Sequence, residues 1–392
     1  MSEPVPPRAD RQWRFYVEDM LRFSRKIMEY SAQLDFQAFD SGGQAFDAIL
    51  RNLELIGEAA THVPEDARAR NPGIPWRRLV ATRNRLIHGY LGLDNDTLWS
   101  LVRSDVPALA DALAGLQEGK TVPAGAPTAF RRYVGIDYSG AQTPTSSLKG
   151  LRVYLVDGDG TAAEVAPPPS PRKYWTRRGI AEWLAAVLSE DRSTIVGIDH
   201  GFSFPLRYFE SHQIPPEWPA FLEDFQRHWP TDEDHVYVDF VRHGSVGNGD
   251  ARGGSSRWRR ITEMRARSAK SVFHFDVQGS VAKSTHAGIP WLLYLRQRCG
   301  DRLHFWPFDG WQVPDGHSAV AEVYPSLWKH LYPGGDRTPD QQDAYTIACW
   351  LRDADRSGQL ASFMQPPLSP QERTIATVEG WILGVKDLPR VK

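Results

Sequence analysis

Arg83-Asn84-Arg85-Leu86-Ile87-His88-Gly89-Tyr90 sets a permanent cation, an imidazole and a phenol within about two helical turns. The stretch Trp76 to His88 is predicted to be one helix, with Gly89 free to take the left-handed conformation that ends helices. An arginine can hold a phosphate while a histidine five positions later moves protons, which suits metal-free cleavage of RNA. The chemistry is attack of a 2′-hydroxyl on the adjacent phosphate, with His88 shuttling protons and Arg83 steadying the added negative charge. On an ideal helix Arg83 and Tyr90 lie about 20° apart, while Asn84 and His88 share a neighbouring stripe. Arg83 and His88 therefore diverge on one helix, and either the reach of the arginine or a two-fold homodimer must bring the groups together. Taken alone, an Arg-x4-His pair reads as a surface ion pair and a helix-end histidine.

The neighbourhood of that helix is helical. Phe15, Met20, Leu21, Phe23 and Ile27 recur at helical spacing, as do Phe46, Ile49, Leu53, Leu55 and Ile56. Asp94 or Asp96 is placed to cap a last helix running through Leu98, Leu101, Val102, Leu109 and Leu113. With 392 residues and 41% hydrophobic content, the chain exceeds the size of one ordinary core, so two domains are expected. The net charge of −2 carries no global nucleic-acid signal, and two cysteines exclude a disulfide framework or a cysteine-rich zinc site. No signal-like segment or long apolar run is present, which predicts a cytoplasmic protein with no membrane attachment.

Four separated stretches fall in one order: Arg51 to Ala60 (RNLELIGEAA), Ile74-Pro75-Trp76-Arg77, the octapeptide, and Asp94 with Leu98-Trp99. In this the chain resembles the HepT-like toxins of the HEPN superfamily of all-α ribonucleases, over roughly residues 11–116. The resemblance implies that Arg83 and His88 are the catalytic pair and that Asn84 is the polar residue following the arginine. It implies a homodimer, RNA as substrate, no cofactor for this part, and a toxin–antitoxin or defence setting. It also implies that Tyr90 is a site of AMPylation by a partner nucleotidyltransferase of the MntA type. An anion there would block phosphate access beside Arg83. Glu54 and Glu58, one turn apart, either orient basic residues or are solvated.

The remainder reads as α/β, in the division 1–117 helical, 118–131 linker, 132–392 α/β with an insertion at about 206–316. Strands are predicted at 133–137, 151–156, 163–165, 194–199 and 319–324, with helices at 180–188 and 339–353. Val-Gly-Ile-Asp137 and Val-Gly-Ile-Asp199 each end a buried strand in a carboxylate, and Asp340 and Asp343 share one face of a helix. Such a cluster suits Mg²⁺ or Mn²⁺, and two such ions could cut a phosphodiester. With Glu322-Val-Tyr-Pro325 and Glu379-Gly-Trp-Ile382, these motifs resemble a family of predicted RNase H-like nucleases, over about 130–386. That resemblance implies catalytic and metal-binding roles for Asp137, Asp199 and Asp343, and a ligand role for Asp340. Glu322 is either a further ligand or the residue fixing the turn after it. The substrate would be RNA, DNA or a hybrid.

Within the insertion, Arg252, Arg257, Arg259, Arg260, Arg265, Arg267, Lys270 and Lys283 outnumber Glu263 and Asp276, with Trp258, Phe273 and Phe275 between them. This predicts a nucleic-acid groove using Arg257, Arg259, Arg260 and Lys283, or else a solvated charged face. Two rival classes stay open. The strand–Asp–turn element also opens actin-like ATPases, although no second glycine-rich phosphate loop is evident. The helical part could also be a non-catalytic dimerisation or regulatory module.

Overall fold

The computed structural model describes residues 8–71, 73–88, 95–118, 129–139, 142–168, 173–266, 269–277, 279–332 and 334–385. The helical part comprises α1 (Arg8–Ser31), α2 (Phe36–Asp40), α3 (Gln44–Thr61), α4 (Glu65–Arg70), α5 (Trp76–His88), α6 (Asn95–Ser100) and α7 (Val106–Gln117). Trp13, Val17, Met20, Leu21 and Ile27 form the buried stripe of α1, which packs on α3 and α7. Phe46, Ile49, Leu53, Ile56 and Ala60 answer it from α3. Asp35 caps α2, accepting from the Ala38 N–H at 2.8 Å.

The last helix does not run unbroken as the sequence predicts. Leu101–Asp105 forms a π-helical turn between α6 and α7. Pro107, in the first turn of α7, has no N–H to give and its ring crowds the carbonyl four residues earlier. Asp96 lies inside α6 rather than capping it, and Asp94 and Gly89 are outside the described residues.

One close approach decides the geometry of this part. A Cβ on Gly57 would stand 2.6 Å from the Leu79 carbonyl oxygen and would run into the Arg83 Cβ. Only glycine lets α5 lie this deep on α3, and that contact sets Arg83 beside the α3 carboxylates.

The second part begins at β1 (Arg132–Tyr138), followed by β2 (Leu151–Asp157), β3 (Ala163–Glu164), α8 (Arg177–Leu188) and β4 (Thr194–Asp199). Then come α9 (Leu206–His212), α10 (Trp218–His228), α11 (Val238–Arg242), α12 (Ile261–Arg265), α13 (Ala282–Cys299), β5 (Leu303–Trp306) and β6 (Ser318–Glu322). The chain closes with α14 (Pro339–Arg356), α15 (Gln359–Phe363) and α16 (Pro370–Glu379). The strands form a six-stranded sheet in the order β3-β2-β1-β4-β6-β5. β1 pairs antiparallel with β2 and β2 with β3, while β1, β4, β6 and β5 run parallel. The region predicted as an insertion at about 206–316 is mostly helical, yet it also supplies β5, the edge strand.

Alternation along the strands sorts side chains to two faces. Tyr133, Ile195, Ala319 and Ala321 face α14, while Val134, Ile136, Val196, Ile198 and Val320 face the layer holding α8 and α13. Gly135 and Gly197, paired across β1 and β4, form the floor on which α14 lies. A Cβ on Gly135 would come within 2.6 Å of the Ala348 nitrogen, and one on Gly197 within 2.6 Å of Ile347.

The two parts touch. One buried apolar cluster runs from the helical bundle to the α14 face of the sheet. α5 rests on the turn Lys329–Leu331, where His330 is buried near Arg78 and Arg85. Burial first, and those two cations next, hold the His330 imidazole neutral, well below its ordinary pKa. Residues 119–128 of the expected linker are outside the described residues. Among the described residues no helix is long and apolar enough to cross a membrane.

Candidate functional site

In the helical part, the Arg83 guanidinium is held on two sides. One terminal nitrogen stands 2.7 Å from Glu58 Oε2, and the other donates to Asn84 Oδ1 at 2.9 Å. Glu58 of α3 orients Arg83, whereas Glu54, one turn earlier, pairs with Arg51 at 2.8 Å. The other Glu58 oxygen lies 3.6 Å from His62 Nε2, and the His62 ring stacks on Tyr16 at 4.8 Å between centroids. Sequence reasoning missed His62 and Tyr16; their helices meet only in three dimensions. His88 closes α5. The His88 side chain and the whole of Tyr90 fall outside the described residues.

The octapeptide and its surroundings match known proteins. Residues 20–115 match the ribonuclease HepT-like family. A protein of Thermococcus cleftensis named "Probable ribonuclease HepT" is 36% identical over 99 residues, which are 25% of this chain and 90% of that one. The chain belongs to the HepT-like ribonuclease family. "Putative RNase MJ1380" of Methanocaldococcus jannaschii is 34% identical over 101 residues, 26% of this chain and 93% of its own length. A further relative from the same organism, "Gamma-glutamylcyclotransferase and putative RNase MJ0434", is 30% identical over 105 residues, 27% of this chain and 47% of that protein. The HepT-like region is thus about a quarter of the chain, and the sheet lies beyond the residues that match the family. No solved structure matches the chain.

On the sheet, Asp137 and Asp199 are direct partners in the parallel β1–β4 register. Neighbouring strands are about 4.8 Å apart, and both carboxylates share the face of Gly135 and Gly197, toward α14. From α14 come Asp343 and, one turn earlier, Asp340. Burial first, and then the negative charges of Asp343 and Asp340, push the Asp137 carboxyl up to about 8, against the pull of a 2.6 Å hydrogen bond from Ser139. Burial followed by Asp137 and Asp343 likewise raises Asp199 well above the usual range. Asp343 is raised too, mainly by burial, although Lys329 Nζ sits 2.6 Å from its Oδ1. No sequence signal marks Lys329, which opens the short 3-10 turn Lys329–Leu331 after β6.

The group is four hard carboxyls with one lysine, and ionising them together would create an excess of negative charge of the kind that divalent cations neutralise. Among the described residues no three His, Cys, Asp or Glu groups are gathered as a ready metal cage. Glu322 does not join them. Strand alternation sends it to the Val320 face, where Arg260 grips both its oxygens at 2.6 and 2.7 Å and the Phe202 N–H donates at 3.1 Å. His200, beside Asp199, is buried on the other face and held neutral, down to about 4, chiefly by burial.

Three of the four cations expected to line a nucleic-acid groove are engaged by protein groups. Arg260 is 1% exposed and bound to Glu322 and Glu263. Arg259 donates to the carbonyls of Glu263 and Ala269. Lys283 pairs with Asp239 at 2.8 Å, Arg252 with Asp224, and Arg265 with Glu372. Arg257 alone of the four predicted contacts is exposed and outside an ion pair among the described residues. Most of the acids that balance these cations, Glu322, Asp239, Asp224 and Glu372, lie far away in sequence, where a local charge count does not reach.

Proposed function

We propose that the HepT-like part is a metal-independent endoribonuclease, acting as a homodimer within a toxin–antitoxin or defence system. Membership in the HepT-like family, with Arg83 presented by Glu58 and Asn84, is the observation that carries this reading. Arg83 would bind the scissile phosphate in place of Glu58. His88 would take the proton of the attacking 2′-hydroxyl and pass a proton to the departing 5′-oxygen, which leaves as a hydroxyl, giving a 2′,3′-cyclic phosphate and the imidazole as it began. Tyr90 would be the residue that a nucleotidyltransferase of the MntA type AMPylates. RNA cleavage in EDTA by wild type and by His88→Ala tests the assignment. A loss of roughly 100-fold or more is expected. Undiminished cleavage by the variant would leave the helices a dimerisation or regulatory module.

A second activity is proposed for the sheet: hydrolysis of a phosphodiester in RNA, DNA or a hybrid with Mg²⁺ or Mn²⁺. The in-register pair Asp137 and Asp199 favours it, together with Asp343 facing them from α14. The order β3-β2-β1-β4, antiparallel then parallel, supports an RNase H-like reading of this part. Asp137, Asp199 and Asp343, with Asp340 at the rim, would hold the cation. When bound, it supplies positive charge that steadies the attacking and leaving oxygens. Lys329 would shift off Asp343 as the cation binds. Cleavage that requires Mg²⁺ and disappears in Asp137→Asn is the expected result.

A further inference from the structure

The polar track that starts at Arg83 does not stop at Glu58. Glu58 Oε2 reaches Arg83 at 2.7 Å, and Glu58 Oε1 lies 3.6 Å from the His62 ring. One carboxylate therefore spans the gap between a phosphate-binding cation and an imidazole, a separation within the reach of a single nucleotide. The His62 side chain is 49% exposed, and Tyr16 of α1 covers one face of its ring at 4.8 Å with 20° between planes. The outer face of the ring and its edge are what remain for that exposure. Three helices meet here, since Tyr16 belongs to α1, Glu58 and the His62 end to α3, and Arg83 to α5.

A flat ring, backed by a second ring and open on its outer side, is what an unpaired base stacks on. A cation one carboxylate away is what the phosphate of the same strand requires. We propose that the outer face of His62, backed by Tyr16, is the seat of a nucleobase of single-stranded RNA whose phosphate lies on Arg83. The proposal rests on the ribonuclease reading and adds the subsite that fixes which base flanks the cleavage point. Stacking accepts every base but favours the wider purines. When the phosphate takes Arg83, Glu58 is left to hold the His62 ring in the plane that Tyr16 sets. Tyr16 and Glu58 act as positioning residues, and His62 touches the substrate.

The test uses the full chain and fluorescent 2′-O-methyl tetranucleotides, which lack the attacking hydroxyl and stay intact. Three are compared: adenosine, uridine, and an abasic tetramer with the same phosphates. Wild type is expected to bind them in that order of decreasing affinity. His62→Ala should bind the adenosine tetramer about tenfold more weakly and the abasic tetramer no more weakly. His62→Phe should restore purine binding, and His62→Gln should not. Unchanged adenosine binding by His62→Ala would overturn the subsite, as would equal losses on the abasic tetramer or rescue by Gln as good as by Phe. If wild type binds none of the three, or binds them regardless of Arg83→Gln, the ribonuclease reading falls and the subsite with it.

Discussion

The two carboxylate-bearing centres of this chain treat charge in opposite ways. At Arg83 each strong charge has a partner in place: Glu58 and Asn84 on the cation, His62 near the free carboxylate oxygen. On the sheet, Asp137 and Asp199 stand side by side with Asp343 and Asp340 near them, and Lys329 answers only part of that charge. The first site holds its cation with groups of the protein itself and fits chemistry done with protein groups alone. The second is built at the expense of stability and fits chemistry that needs an outside cation. Helix against helix makes the first, since α5 and α3 offer long side chains that find each other. Strand beside strand makes the second, because parallel register fixes two short aspartates at one spacing whatever their charge.

The sharpest way to break this contrast is to remove the repulsion. Asp137 is held protonated up to about 8 in the fold, against about 3.9 in an unfolded chain. The folded state therefore binds more protons than the unfolded one between these values, and stability falls as pH rises through that window. Asp137→Asn removes this slope. Urea unfolding is expected to find the variant more stable than wild type at pH 8, on the order of a few kcal/mol, with the difference fading toward pH 4. Mg²⁺ at pH 8 should stabilise wild type and leave Asp137→Asn nearly unmoved. Equal pH slopes in the two proteins would mean that the carboxylates are not in conflict.

A smaller effect is expected at Lys329, a cation that the turn after β6 places on the cluster. Its ammonium competes with an incoming divalent ion for Asp343. Lys329→Met should tighten Mn²⁺ binding by about tenfold, which is about 1.4 kcal/mol. Weaker Mn²⁺ binding would make the lysine a support of Asp343 instead.

Much of this contrast is legible in the sequence, and its gaps have physical reasons. The repeated Val-Gly-Ile-Asp carries strand, face and function together: glycine two residues before aspartate marks the face on which a helix must lie. Asp137, Asp199 and Asp343 come to one side of the sheet for that reason. Glu322, by sequence either a further ligand or the residue fixing the turn after it, sits one step out of phase with the strand face that carries the aspartates and is bound by Arg260. The cations around Arg260 read as a groove or a solvated face because most of their acidic partners, Glu322, Asp239 and Glu372 among them, are distant in sequence. Arg83 and Glu58 were legible as residue types, but their meeting depends on Gly57, whose role shows only when α5 is laid on α3. Tyr16 and His62, 46 positions apart on different helices, left no periodic trace at all.

The mildest variant probes the paired site directly. Glu58 and Arg83 are both partly exposed, at 46% and 28%, and such pairs contribute little to stability, under about 1 kcal/mol. Glu58→Gln should therefore shift unfolding by less than about 0.5 kcal/mol. Its effect on substrate should be larger than its effect on the fold, because the carboxylate occupies the side of Arg83 that a phosphate needs. With that competitor neutralised, a non-cleavable RNA should bind several-fold more tightly at low salt, and the gain should shrink as salt screens the cation. Weaker RNA binding with unchanged stability would instead show that the guanidinium must be aimed by Glu58 before a phosphate can use it. The first outcome makes the pair a resting contact that substrate displaces. The second makes it part of the working site, and the contrast with the sheet would then lie in preorganisation as much as in charge.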